Sequence, residues 1–148
     1  MVTTDQYRIL LVDDQEAIRR GLRAFLGLER KWQVCGEAVN GRDAVEVASQ
    51  LQPDLIIMDI TMPEMDGIEA TREIRKVLPE AQILMLSLQN SHKLISDSFQ
   101  AGATGYMLKS DLGRELFHAL ETVAKRDRFL SPALLKRGPK MHSVGEKG

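Results

Sequence analysis

The chain has one cysteine, Cys35, among 148 residues, so no internal disulfide can form and any stability must come from a packed core. Cys35 lies in a strand-like run and reads as a small buried apolar residue. No apolar stretch approaches the roughly 18 residues of a membrane span, and the opening MVTTDQYR lacks the apolar centre of a signal peptide, so a cytoplasmic location is expected. An excess of charge is also missing, with 20 Lys and Arg against 21 Asp and Glu. No whole-chain field draws the protein to nucleic acid or to a membrane. Neither a P-loop, a GxGxxG turn, a Cys/His cluster nor an internal repeat is present, which removes the common nucleotide, zinc and solenoid readings.

What remains is a regular alternation, and 43% hydrophobic content is enough for one sizeable core. Five strand-length apolar runs recur: Arg8 to Val12, Gln33 to Glu37, Leu55 to Met58, Ile83 to Ser87 and Gly105 to Leu108. Between them lie helix-length segments with apolar residues at helical spacing, such as Ile18, Leu22, Phe25 and Leu26. Strands that are apolar throughout indicate burial on both faces, and strict strand-helix alternation indicates parallel pairing. The expected fold is α/β, doubly wound, with helices on both faces. A last helix from Leu112 to Lys125 is expected to close the sheet, giving a folded unit over 5–127. Residues 128–148 read as a linker or tail in which Ser131 and Pro132 start one short helix, ended by Gly138 and Pro139. From Asp111 onward there are eight Lys or Arg against five Asp or Glu, a mild bias that fits a solvated face.

In an open parallel sheet, ligands collect beyond the carboxyl ends of the strands. There the sequence places Asp13 and Asp14 after the first strand, Asp59 after the third, Ser87 at the end of the fourth and Lys109 after the fifth. Singly, each has an ordinary explanation: Asp13 with Glu16 as a helix-capping pair, Asp59 as a loop acid, Ser87 as a strand-end hydroxyl, Lys109 as a surface amine. Together they do not. Three carboxylates within about 4 Å repel by several kcal/mol per pair at an effective dielectric near 20, which calls for a cation or a proton. All-oxygen ligands with room for water and phosphate oxygens favour Mg2+. Phosphoryl transfer then needs an in-line nucleophile and further groups on the equatorial oxygens. Asp59, ending the central strand, is best placed as the nucleophile. Asp13 and Asp14 would hold Mg2+, Lys109 would pair with the phosphoryl group, and Ser87 would donate a hydrogen bond to it.

The segments LLVDDQEAIRRGL, PDLIIMDITMPEMDGIEATREIR, LMLSLQNS and GATGYMLKSDL together resemble the receiver domain of two-component response regulators, over about Tyr7 to Lys125. The resemblance implies a five-stranded parallel sheet in the order 2-1-3-4-5, like that of flavodoxin and CheY. It also implies Asp59 as phosphoacceptor and Asp13, Asp14, Asp59 and the backbone carbonyl of Thr61 as the Mg2+ ligands. Met62 to Gly67 matches the Met-Pro...Asp-Gly loop, with Asp66 able to cap the next helix. Two positions depart from common receivers: bulky Leu88 follows Ser87 and is expected to narrow access to the site, and Ser110 replaces the proline often found after the lysine. These features and the ending RFLSPAL are similar to the NarL/FixJ subgroup, whose receivers precede a LuxR-type helix-turn-helix.

The resemblance further implies a sensor histidine kinase or a phosphotransfer protein as phosphodonor. Ser87 and Tyr106 would form a switch acting on a surface of the fourth helix, fifth strand and fifth helix, including Ile95, Phe99, Leu116 and Leu120 where exposed. That surface would serve homodimerisation or effector contact, and this chain is expected not to bind DNA itself, either as a stand-alone receiver or as the receiver half of a DNA-binding regulator. Two other functions compete. An Asp-dependent phosphohydrolase would need a DxD turn after the first strand, which Asp13-Asp14-Gln15 does not provide. A degenerate docking module would have lost at least one of Asp13, Asp14, Asp59, Ser87 and Lys109, and all are present.

Overall fold

In the computed structural model, which describes residues 6–134, each of the five apolar runs is a strand. They are β1 (Tyr7–Val12), β2 (Trp32–Ala38), β3 (Leu55–Asp59), β4 (Gln82–Ser87) and β5 (Gly105–Leu108). The helices between them are α1 (Glu16–Leu26), α2 (Gly41–Leu51), α3 (Gly67–Val77), α4 (His92–Ala101) and α5 (Leu112–Ala124). All pairings are parallel, and the order begins β2-β1-β3-β4-β5 as expected. Every residue of β3, the central strand, is buried, which is why its sequence is apolar without alternation until Asp59.

The core has two halves, one on each side of the sheet. Ile9, Leu11, Ile57, Leu84 and Met107 pack with Leu22 and Leu26 of α1 and Leu116, Leu120 and Val123 of α5. The alternate residues Leu10, Ile56, Met58, Ile83 and Met85 pack with α2 and α3 and with Tyr106. At roughly 25 cal/mol per Å2 of apolar surface removed from water, these two layers supply the main driving force for the fold. Leu116 is 1% exposed and Leu120 is fully buried, so both belong to this core and neither is exposed to join the output surface. Ile95 and Phe99 remain partly exposed.

The sheet has six strands, which corrects the expected five. β6 (Phe129–Leu130) pairs in parallel with β5, through Gly105 with Phe129 and Tyr106 with Leu130. The reading of 128–148 as linker missed it because two residues carry no periodicity. The physical reason for the strand is the free edge of β5, whose unpaired backbone groups need partners. Phe129 N–H donates to the Thr104 carbonyl at 3.2 Å, and Ser131 N–H donates to the Tyr106 carbonyl at 3.2 Å. Ser131 is fully buried, and its Oγ accepts from Leu108 N–H at 2.9 Å. A helical turn then starts at Pro132 and runs to the last described residue, Leu134, with Gly138 and Pro139 outside the described residues.

The loop from β3 to α3 is fixed at both ends. Asp66 caps α3, its Oδ1 accepting from Glu69 N–H at 2.9 Å, as expected from the sequence. Gly67 is required by close approach: a Cβ there would lie 2.3 Å from the Asp59 carbonyl oxygen and 2.9 Å from Ile60 Cα. Backbone cannot yield to such an overlap, so Gly67→Ala is expected to destabilise the domain by about 1 to 3 kcal/mol in urea unfolding. An unchanged midpoint would show that the loop has slack beneath Asp59.

Candidate functional site

Parallel strands of nearly equal register end on one edge, so the residues closing β1, β3, β4 and β5 share one end of the sheet. There the structure brings together Asp13, Asp14, Asp59, Ser87 and Lys109. Asp13, Asp14 and Asp59 each offer a carboxylate oxygen, all within 4.8 Å of one another. Asp13 and Asp59 are buried, while Asp14 is exposed at the rim. Lys109 Nζ stands 3.1 Å from Asp59 Oδ1 and 3.4 Å from Asp13 Oδ2.

Asp13 is held from several directions. Its N–H donates to the Ala38 carbonyl at 3.1 Å, and its Oδ1 accepts from Gln15 N–H at 2.8 Å. The Asp13–Glu16 capping pair does not form; Gln15 is the N-cap of α1 and its side chain makes no capping bond. Asp13 Oδ2 is buried, and its one cationic neighbour is the Lys109 ammonium, an ion-pair contact at 3.4 Å and longer than an ordinary charge-assisted hydrogen bond. A buried anionic oxygen without a hydrogen bond costs several kcal/mol unless a positive charge satisfies it.

The electrostatics follow from this crowding. Burial, then the charge of Asp13, raise the Asp59 carboxyl to about 6, against the lowering influence of Lys109. Burial works against the charged ammonium of Lys109, yet Asp59 and Asp13 outweigh it and hold its pKa above the ordinary lysine value. One ammonium among three carboxylates leaves an excess of negative charge. A divalent cation held by Asp13, Asp14 and Asp59 fits both that excess and the orphaned Asp13 oxygen, and the all-oxygen donors suit Mg2+.

The remaining expected residues lie around this centre. Thr61 is exposed on the loop two residues beyond Asp59. The Ser87 hydroxyl oxygen accepts from Gln89 N–H at 3.0 Å. Tyr106 is fully buried, and its hydroxyl donates to the Gln89 carbonyl at 2.7 Å. Burial pushes the Tyr106 phenol above its ordinary value, and a hydrogen bond with Ser87 offsets part of the rise. Gln89 thus ties Ser87 to Tyr106, which sequence reasoning did not foresee. Leu88 is 79% exposed, turned to solvent. Lys109 to Asp111 form a 3-10 turn, and no peptide bond among the described residues is cis.

The fold and the strand-end cluster define an α/β protein with an acidic, lysine-bearing site at the carboxyl edge of its sheet. The comparisons with known proteins agree: the response regulator receiver domain matches residues 9–121. The chain is 36% identical over 130 residues to the transcriptional regulatory protein YdfI of Bacillus subtilis, covering 88% of this chain and 61% of that protein. It is 34% identical over 128 residues to the response regulator VraR of Staphylococcus aureus, covering 86% and 61%. Among solved structures, a LuxR-family two-component response regulator from Aurantimonas sp. superposes with a TM-score of 0.85 at 34% identity, covering 88% of this chain and 94% of that one. The receiver domain of NarL from Mycobacterium tuberculosis gives 0.77 at 30% identity, covering 82% and 98%. This chain therefore belongs to the receiver domain family of two-component response regulators, with relatives of the LuxR and NarL type. It spans about three fifths of the length of the curated relatives it matches. Receiver domains of this family are signalling modules that bind Mg2+ through an acidic pocket and interact with histidine kinases or phosphotransfer proteins. No helix among the described residues is long and apolar enough to cross a membrane.

Proposed function

We propose that this chain is a phosphorylation switch in which Asp59 accepts a phosphoryl group from a sensor histidine kinase or a phosphotransfer protein in the cytoplasm. The observation that carries the reading is the buried Asp13 Oδ2, free of hydrogen bonds, within a three-carboxylate cluster faced by Lys109. A site so arranged is costly by itself and is satisfied by a cation and an incoming phosphoryl group. Asp13, Asp14, Asp59 and the Thr61 carbonyl would hold Mg2+. When bound, the ion supplies positive charge to the phosphoryl oxygens.

The protein's own groups do the rest. A carboxylate oxygen of Asp59 forms the bond to phosphorus while the donor's bond to phosphorus breaks and the leaving group departs in line. Lys109, already beside Asp59, exchanges a carboxylate oxygen for a phosphoryl oxygen. Ser87 turns its hydroxyl to donate to another, releasing its bond with Gln89, and Tyr106 carries that change toward α4 and α5. The domain unit corresponds to 5–127 extended by β6, with the residues beyond it leading to an effector or standing free. Any transcriptional output would run through a helix-turn-helix outside this chain, or through a homodimer formed on the altered surface, without direct DNA contact by these residues. The chain assists its own phosphorylation and turns over no external substrate.

Incubation with acetyl phosphate and Mg2+ should add a single acid-stable, base-labile phosphoryl group, placed at Asp59 by peptide mass spectrometry. EDTA should abolish the labelling. A label on any other residue, or one that persists in EDTA, would refute the assignment.

A further inference from the structure

The Asp13 carbonyl is tied to a side chain that lies outside the carboxylate cluster. Arg19, on the first turns of α1, donates from Nη1 to the Asp13 carbonyl at 2.7 Å and from Nε to Glu37 Oε1 at 2.7 Å. Glu37 sits on β2, and its other carboxylate oxygen accepts from Nε and Nη2 of Arg23 at 2.9 and 2.6 Å. The Arg19 side chain is only 12% exposed, so the guanidinium is a fixed fork spanning two acceptors. Together with the Asp13 N–H bond to Ala38 and the Gln15 bond to Oδ1, this leaves Oδ2 as the one functional oxygen of Asp13 without a hydrogen bond.

We propose that Arg19, braced by Glu37, is a positioning residue that holds the β1–α1 loop so that Asp13 and Asp14 present their oxygens to the divalent cation. This rests on the Mg2+ reading of the site. Arg19 does not touch the cluster oxygens itself; it acts through the Asp13 main chain. Outer partners that orient a ligand typically contribute 10- to 100-fold to metal affinity.

Charge and position predict opposite results, which makes the test sharp. If Arg19 acted only as a nearby positive charge, its loss would tighten binding of a dication. If it positions the loop, its loss loosens binding although repulsion falls. We would titrate Mg2+ into the parent, Arg19→Gln, Arg19→Lys and Glu37→Gln, following the backbone amides of Asp14 and Asp59 by NMR, with thermal unfolding in EDTA as a separate readout of fold. Arg19→Gln is expected to weaken Mg2+ binding on the order of tenfold. Arg19→Lys keeps the charge but cannot span both acceptors, so it should stay nearer to Arg19→Gln than to the parent. Glu37→Gln, which keeps the bond but loosens the brace, should fall between. With acetyl phosphate, the labelling rate of Arg19→Gln should recover at saturating Mg2+. Unchanged or tighter Mg2+ binding in Arg19→Gln, with the parent binding normally, overturns the inference alone. A parent that binds no Mg2+ through Asp59 overturns the functional reading as well. Should Arg19→Gln fail to fold, Glu37→Gln and Arg19→Lys decide the matter: parental affinity in both refutes the brace.

Discussion

Asp59→Asn is expected to abolish phosphoryl uptake and, in the same protein without Mg2+, to raise thermal stability at neutral pH. The two effects have one origin. The folded state raises the Asp59 carboxyl to about 6 because burial and the Asp13 charge disfavour the anion. A carboxyl whose folded pKa lies above its unfolded value binds its proton more tightly when folded. Its contribution to stability is therefore complete below about pH 4 and is lost as pH rises to about 6. Above that range the ionised Asp59 costs the fold on the order of 1 to 3 kcal/mol, since a tenfold change in proton affinity is worth about 1.4 kcal/mol. Asparagine keeps the shape without the charge and removes that cost, so the midpoint should rise by several degrees at pH 7.5. At pH 4 parent and variant should melt together. Added Mg2+ should stabilise the parent and narrow the gap, because the variant has lost one carboxylate ligand. Equal stability of the two at pH 7.5 in EDTA would mean that the acidic cluster carries no strain, and a labelled Asp59→Asn would mean that the acceptor lies elsewhere.

Much of this site was legible because it depends on topology. Asp13, Asp59, Ser87 and Lys109 each stand at the end of an apolar run, and parallel pairing brings the ends of such runs to one edge. The strand runs were equally plain, since the inner stretches Ile9 to Val12 of β1, Leu55 to Met58 of β3 and Ile83 to Leu86 of β4 are buried on both faces and read as unbroken Ile, Leu, Val and Met. Asp66 was readable as a cap because capping depends on local spacing.

Features that depend on reach across the fold were not legible. Arg19 looks like any exposed arginine of an amphipathic helix, and only the meeting of α1 with β2 turns it toward Glu37 and the Asp13 carbonyl. Asp13 with Glu16 had the residue types of a capping box, but the Asp13 side chain instead closes a tight turn onto Gln15 N–H. Gln89 has no motif value; it matters because its backbone N–H donates to Ser87 and its carbonyl accepts from Tyr106. β6 is two residues long and exists only because β5 leaves an edge to be paired. Leu116 and Leu120 could join the output surface only where exposed, and their helical spacing with Ala119 and Val123 places them on the inner stripe of α5 instead.

Tyr106→Ala should cause the largest loss of stability of any single change at the switch, and it should also disconnect it. The ring is fully buried among the aliphatic residues of the α2 and α3 side of the sheet, so truncation leaves an aromatic-sized cavity and costs about 3 to 5 kcal/mol. Tyr106→Phe keeps the ring and loses the hydroxyl's bonds to the Gln89 carbonyl and to Ser87, and because Gln89 is exposed and water can satisfy its carbonyl, the cost is about 1 to 2 kcal/mol. Because the ring already lies inside the domain, phosphorylation need not draw it inward. The change expected at Asp59 is the loss of the Ser87–Gln89 bond, which frees the loop that also anchors the Tyr106 hydroxyl. From β5 the shift has a second route outward, since the Tyr106 carbonyl holds Ser131 and Leu108 N–H binds its hydroxyl. Moving such an equilibrium from 1:99 to 99:1 takes about 5.5 kcal/mol, within the sum of a few charge-assisted contacts from Lys109 and Ser87 to a phosphoryl dianion. Amide spectra with and without the phosphoryl mimic beryllofluoride should therefore show changes across 87–120 and at 129–131 in the parent and in Tyr106→Phe. In Tyr106→Ala, or in Tyr106→Leu if the alanine variant does not fold, they should shrink to the loops around Asp13 and Asp59. A full response in a folded variant without the ring would show that the signal leaves the site by another path.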